Sequence, residues 1–275
     1  MNRFPFDTQI EIAYAHLPKK GFFILSLYDL GEEMAVVETT IHEGWGEIVL
    51  NRPARKNAIT GPLGTALVEA LQELDGDGDV RVILLRGAGG AFCSGLDLKE
   101  FSGDPEPDWL AGFQGIWRSV HRSLFECRKP IVGALQRYAI NGGAAFAFSC
   151  DLLVTGEGAF LQVGEVQTGM AAPYNIAWLD LRHNEATISR IAMVGDRIYG
   201  PELLRLGIAH QCVADADVMS AAQALTEKLA GFPGDGLGRT KAGVRARLDC
   251  SADEWFDRYT GKDPAGSRPK PKRVP

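Results

Sequence analysis

Chemistry in this 275-residue chain has few places to sit: two glycine-bearing loops, GAGGAFCSGLD (87–97) and RYAINGGAAF (137–146), and one glutamate, Glu165, in FLQVGEVQTGMAAP. A glycine removes the Cβ and lets a backbone N–H approach a ligand oxygen. A helix starting at the same place adds partial positive charge. Two such N–H groups on one oxygen make an oxyanion hole. The same small residues also serve close helix–strand packing, so the loops alone leave both readings open. Glu165 stands among apolar and small residues. Burial there would raise its pKa, as a general base requires; a solvated loop glutamate is the alternative.

Other chemistries fail on spacing. Neither loop completes a GxxxxGK[ST] or GxGxxG phosphate template. Ser94 lacks the GxSxG elbow of a hydrolase nucleophile. The histidines (His16, His42, His121, His183, His210) show no metal-binding spacing and read as surface or structural residues. Five scattered cysteines without a CxxC pair argue against a disulfide framework or zinc knuckle and for a reducing, cytoplasmic setting. A balance of 29 basic to 35 acidic residues, net −6, argues against a general nucleic-acid or anionic-membrane binder. No apolar run reaches the roughly 18 residues of a membrane helix, and GFFILSLY (21–28) starts late and lacks a cleavage site. No metal is expected.

The elements that must hold these loops are legible as alternating strands and helices, which predicts an α/β fold. MAVVETTIHEGWGEIVLNRP (34–53) predicts two strands about a turn at Glu43-Gly44. Thr60 and Pro62 predict a helix start, with Leu63, Leu67, Ala70, Leu71 and Leu74 on one face. VRVILLR (80–86) and IVGAL (131–135) read as buried parallel strands, each leading into one of the glycine loops. A helix is expected over about 108–127 and another from NGGAAFAFSC (141–150). DLLVT and AFLQV read as further short strands, and the chain past about 184 reads as mainly helical. Residues 1–33 lack a clear period and read as an appendage upstream of an alternative start at Met34. The expected order is then a core over 34–200, a helical oligomerisation region over 201–261 and a mobile basic tail over 262–275.

Taken together, IVLNRPARKNAIT, AFCSGLDLKEF, KPIVGALQRYAINGGAAFAFSCDLLV, FLQVGEVQTGMAAP and VGDRIYGPELLRLGIAHQCV resemble, in this order, the enoyl-CoA hydratase/isomerase, or crotonase, superfamily over about residues 35–230. The resemblance implies a spiral of ββα units with a helical C-terminal region, homotrimers or hexamers, an acyl-CoA thioester as substrate and no cofactor. It implies Ser94 and Gly142 as the oxyanion donors and Ser94, Gly95, Leu96 and Asp97 as the lining of pantetheine and thioester. Lys56 and Ala58 fall in the stretch near the CoA nucleotide, where Arg52, Arg55 or Lys56 would meet phosphates. Of the two glutamates of the family's hydratases, one position is Ala145 here and the other is Glu165. A single carboxylate beside an oxyanion hole points to an isomerase that moves the double bond of 3-enoyl-CoA to the 2-position, and the Glu165 segment resembles that of Δ3,Δ2-enoyl-CoA isomerases. A 2-enoyl-CoA hydratase is the alternative, and a catalytically silent acyl-CoA-binding protein a third. Dienoyl-CoA isomerases need further acids where Ala145 and Pro173 stand. Gln136-Arg137 replaces a common Asn-Gly, and Asn141 a common Gly.

Overall fold

The computed structural model describes residues 35–261. The expected appendage over 1–33 and tail over 262–275 lie outside the described residues. Strands β1 (Val37–His42) and β2 (Trp45–Leu50) form the expected antiparallel hairpin. Thr60 caps α1 (Gly61–Gly76), its hydroxyl accepting from the Leu63 N–H, and all five expected apolar positions of that helix are buried. Then follow β3 (Val82–Gly87), the short α2 (Leu98–Phe101), α3 (Phe113–Glu126) and β4 (Ile131–Leu135). The apolar runs of β3 and β4 are covered on both faces, as a parallel sheet between helical layers requires.

From β4 onward the chain steps between two sheets. β4 leads into β5 (Tyr138–Ile140) and α4 (Gly142–Ser149). β6 (Leu152–Gly156) leads into β7 (Phe160–Gln162) and α5 (Pro173–Asp180). After α6 (Glu185–Val194) come β8 (Ile198–Tyr199), α7 (Gly200–Arg205) and β9 (Gln211–Val213). The larger sheet has the order β1-β2-β3-β4-β6-β9, parallel from β2 onward. The smaller has the order β5-β7-β8. Helices α8 (Val218–Ala230), α9 (Gly236–Arg245) and α10 (Ala252–Thr260) finish the described chain.

The main core packs Ile83, Leu85, Ile131 and Leu153 of the large sheet against α1, α3, α4 and α5. On the other face Val82, Leu84, Val132 and Val154 meet Val218 and Ala222 of α8. The region past 200 is therefore not helical alone: β9 joins the large sheet and α8 covers it. β5, β8 and β9, of two or three residues, carry too little alternation to be read from sequence, whereas the equally short β7 shows in the apolar run AFLQV.

Candidate active site

The loops that follow β3 and β4 leave the C-terminal ends of neighbouring parallel strands, where open α/β sheets place their ligands. Two single-residue bridges extend the smaller sheet through these loops. Cys93 pairs with Ala139 and Ile59 with Leu96, both in parallel. The segment 93–97 is thus strung between 56–59 on one side and 138–140 on the other. Gly95 permits the turn this needs: it sits at φ +88, and a Cβ there would stand 2.9 Å from the Ile140 carbonyl.

The pairing decides which N–H groups remain open. The Ser94 N–H donates to the Lys56 carbonyl at 3.1 Å, and the Asp97 N–H to the Ile59 carbonyl at 2.9 Å. The Leu96 N–H finds no acceptor among the described residues, nor does the Gly142 N–H at the start of α4. Gly95 lies against the Ile140 carbonyl and Gly143 against the Cys93 carbonyl, so the two segments that carry these N–H groups pack against each other. The expectation that Ser94 donates is corrected on this point: its N–H is committed to the ladder, and Leu96 presents the open donor.

Gly142 is aimed by an unusual residue before it. Asn141 has φ 52 and ψ −116, the first central position of a type II′ turn, which glycine normally fills. A side chain held there costs about 1–3 kcal/mol. Four bonds hold it: its N–H to Gln162 O at 2.8 Å, the Gly164 N–H to its Oδ1 at 2.8 Å, and both Asn175 Nδ2 and the Ala145 N–H to its carbonyl at 3.2 Å. Gly143 next to it has no room for a side chain, since a Cβ would meet the Cys93 carbonyl at 2.4 Å.

Glu165 opens a 3-10 turn that Gly169 closes at φ 78. Burial pushes its carboxyl up to about 7, against its own backbone N–H and Asn175, which pull the other way. Asn175 Nδ2 donates to Oε1 at 2.9 Å, and Oε2 is buried without a partner. The same Asn175 nitrogen therefore bridges Glu165 and the peptide that carries the Gly142 N–H. Ala145, one turn into α4, is fully buried among apolar neighbours and offers no proton-transfer group.

The remaining expected residues divide between binding and support. Lys56, exposed and at φ 55, lines a cleft of about 550 Å³ with Ser94, Arg137, Tyr138, Phe160 and Arg197. Lys56, Arg137 and Arg197 make no ion pair among the described residues. Arg52 and Arg55, by contrast, are spent internally. Both grip Asp97, and Arg52 also reaches Glu100 and the Ala58 carbonyl. Burial alone would raise the Asp97 carboxyl, but hydrogen bonds from Arg55, the Glu100 N–H and Arg52, with the Arg55 charge, hold it below its ordinary value. Its side chain is 2% exposed, so Asp97 anchors the loop and does not face a ligand. Ala58 is buried.

Three residues that bear on the site were not singled out by sequence as such: Asn57, Asn175 and the Leu96 donor. Asn57 is fully buried at φ 55, accepts from Arg52 N–H and donates to the Ala88 and Ala91 carbonyls, tying the 52–57 turn to the first glycine loop. An asparagine beside lysine in a turn was the available signal. Phe101, Trp109, Phe113 and Trp117 form a run of aromatic contacts with ring centroids 4.7–6.0 Å apart. The Trp117 ring edge lies 3.3 Å from where a Cβ on Gly142 would be. His121 is buried and neutral, since burial and the Arg118 charge push its pKa well down, and its Nδ1 accepts from Trp178. Burial pushes the Cys93 thiol up to about 12, so it is no nucleophile. A larger cavity of about 870 Å³, lined by Asp75, Lys129, Lys241 and Arg245, adjoins the N-terminal ends of β3 and β4, opposite the loops.

Known proteins resemble this chain in sequence and in fold. The family model described as "Enoyl-CoA hydratase/isomerase" matches residues 40–255. The carnitinyl-CoA dehydratase of Proteus mirabilis (strain HI4320) is 29% identical over 215 residues, covering 76% of this chain and 80% of the relative. The 1,2-epoxyphenylacetyl-CoA isomerase of Escherichia coli (strain K12) is 27% identical over 228 residues, covering 82% and 87%. The crystal structure of an enoyl-CoA hydratase/isomerase from Mycobacterium paratuberculosis superposes with a TM-score of 0.73 at 27% identity, covering 82% of this chain and 90% of that one.

Proposed function

The chain belongs to the enoyl-CoA hydratase/isomerase family, and from that premise we propose that it shifts the double bond of a 3-enoyl-CoA to the 2-position with Glu165 as its one acid/base. The observation that carries this reading is a single half-buried carboxylate with a pKa of about 7, bridged through Asn175 to the Gly142 peptide. The ionised Glu165 takes a proton from C2. The electron pair moves into the thioester carbonyl to give a dienolate, and the developing oxyanion is met by the N–H groups of Leu96 and Gly142. Protonated Glu165 then returns the proton to C4, and the double bond settles between C2 and C3. No proton is gained or lost overall, so one carboxylate suffices. Loss of one such N–H donor typically costs about 3–4 kcal/mol of transition-state stabilisation.

Hydration asks for more. Water must be both activated and split across the double bond, which the family's two-glutamate hydratases do with a pair of acids. Ala145 in place of the first supports isomerisation over hydration. Relatives carry both dehydratase and isomerase names, so the choice between the reactions rests on Ala145. The CoA phosphates are assigned to the unpaired cations Lys56, Arg137 and Arg197 at the cleft, and not to Arg52 or Arg55. The enzyme works as a homotrimer or hexamer: Val166, Met170, Met193 and Val194 lie exposed around the Glu165 turn and the end of α6, an apolar patch that a second copy would cover.

The test is product analysis with purified protein. Trans-3-hexenoyl-CoA should yield 2-hexenoyl-CoA, with crotonyl-CoA hydrated far more slowly and both activities lost in Glu165→Ala. Fast hydration of crotonyl-CoA with no isomerisation would overturn the assignment. Tight CoA-thioester binding with neither reaction would instead favour a silent binder.

A further inference from the structure

We infer that Asn175 is a positioning residue that aligns both halves of the site at once, the Glu165 carboxylate and the Gly142 N–H. This rests on the reading of those two groups as base and oxyanion donor. Asn175 is 2% exposed on α5, and its amide nitrogen has two hydrogens. One goes to Glu165 Oε1 at 2.9 Å and the other to the Asn141 carbonyl at 3.2 Å. That carbonyl and the Gly142 N–H are opposite ends of one planar peptide, so fixing the direction of the first fixes that of the second.

The peptide needs holding because Asn141 occupies a conformation that non-glycine residues rarely adopt. The Asn141 N–H bond to Gln162 and the Gly164 N–H bond to its side chain fix the residue from the other side, and the Ala145 N–H also meets its carbonyl. Among these holds, Asn175 is the one that also touches Glu165. A bond to the carbonyl further polarises the peptide and strengthens its N–H as a donor. The side-chain type follows from the geometry. Aspartate has no hydrogens to give, and leucine, of similar size, has neither donor nor acceptor. Burial raises the Glu165 carboxyl, while its own backbone N–H and Asn175 lower it. The amide is therefore the lever on the base as well as on the donor.

The experiment compares wild type, Asn175→Leu and Asn175→Ser, the smaller serine serving if leucine does not fold. Three readouts separate positioning from mere packing. One is kcat against KM for trans-3-hexenoyl-CoA. The second is the acid limb of the pH profile. The third is the absorption of bound 4-dimethylaminocinnamoyl-CoA, a chromophoric thioester whose band shifts to the red when its carbonyl is polarised. Asn175→Leu should lower kcat by about 100-fold with a small change in KM, as expected for misaligned reacting groups. Its acid limb should move to higher pH, because a donor to the carboxylate is gone, and the red shift should shrink. Glu165→Gln should keep the red shift, which separates the two halves of the site. Folded Asn175 variants with kcat within threefold of wild type, an unmoved limb and a full red shift would overturn the inference. A wild type that itself gives neither red shift nor Glu165-dependent turnover would overturn the reading of the site beneath it.

Discussion

At the scale of single residues the proposed reaction turns on the protonation of Glu165. Its carboxyl sits at about 7 because burial disfavours the ion more than Asn175 and its own backbone N–H favour it. The reactive form is the carboxylate, so kcat/KM should rise with pH through a limb near 7 and flatten above it; a limb near 4 to 5 would mean a solvated glutamate. The same shift has a stability consequence of opposite sign. A carboxyl whose folded pKa lies above its unfolded value favours folding at pH below about 4.5, and that contribution is lost as pH rises through 7. Glu165→Gln keeps an oxygen for Asn175 and cannot ionise. It should therefore be inactive yet more stable than wild type at pH 8, by about 2–3 kcal/mol, with the gain vanishing towards pH 4.5 in denaturant titrations. Glu165 was legible as a candidate because a lone acid stood in apolar company. The choice of Leu96 over Ser94 was not, since it depends on which carbonyls of 56–59 and 138–140 each N–H faces, and those partners are distant in sequence.

At the scale of elements, the long periodic pieces were legible and the short ones were not. The face of α1 and the apolar runs of β3 and β4 declare themselves through repeated burial. β5 is three residues inside a stretch that reads as a glycine loop, yet its Ala139 bridges Cys93 and so joins the two glycine loops. The two glycines that open α4 should respond differently to alanine. In Gly143→Ala the new methyl meets the Cys93 backbone carbonyl at 2.4 Å, which cannot retreat. A loss of about 1–3 kcal/mol in urea unfolding is expected. In Gly142→Ala the methyl meets the tips of Ile59 and Trp117 at 3.0 and 3.3 Å, which can give way. Stability should change by less than about 1 kcal/mol while KM for the thioester rises. Equal destabilisation by both would contradict this view of the loop.

At the scale of the whole molecule, α10 ties the C-terminal region to the site through its packing on α5, the helix that carries Asn175. Phe256 is fully buried against Tyr174, Trp178, His121 and Phe125. Phe256→Ala should cost about 3–5 kcal/mol by chemical denaturation. Its capping Ser251–Glu254 box was not legible as part of the site, because nothing local says which helix α10 will meet. The proposed assembly would likewise rest on exposed side chains from separate segments, Val166 and Met170 in one and Met193 and Val194 in another. Light scattering should give three or six times the monomer mass, and Val194→Asp should lower it; a monomeric wild type would contradict the proposed assembly. The central claim, that one carboxylate carries the proton from C2 to C4, is tested most directly with trans-3-hexenoyl-CoA deuterated at C2, turned over in ordinary water. Mass and NMR analysis of early product should find part of the deuterium at C4 of 2-hexenoyl-CoA, and Glu165→Gln should form no product. Turnover undiminished in Glu165→Gln, or 3-hydroxyhexanoyl-CoA as the main product of wild type, would contradict it.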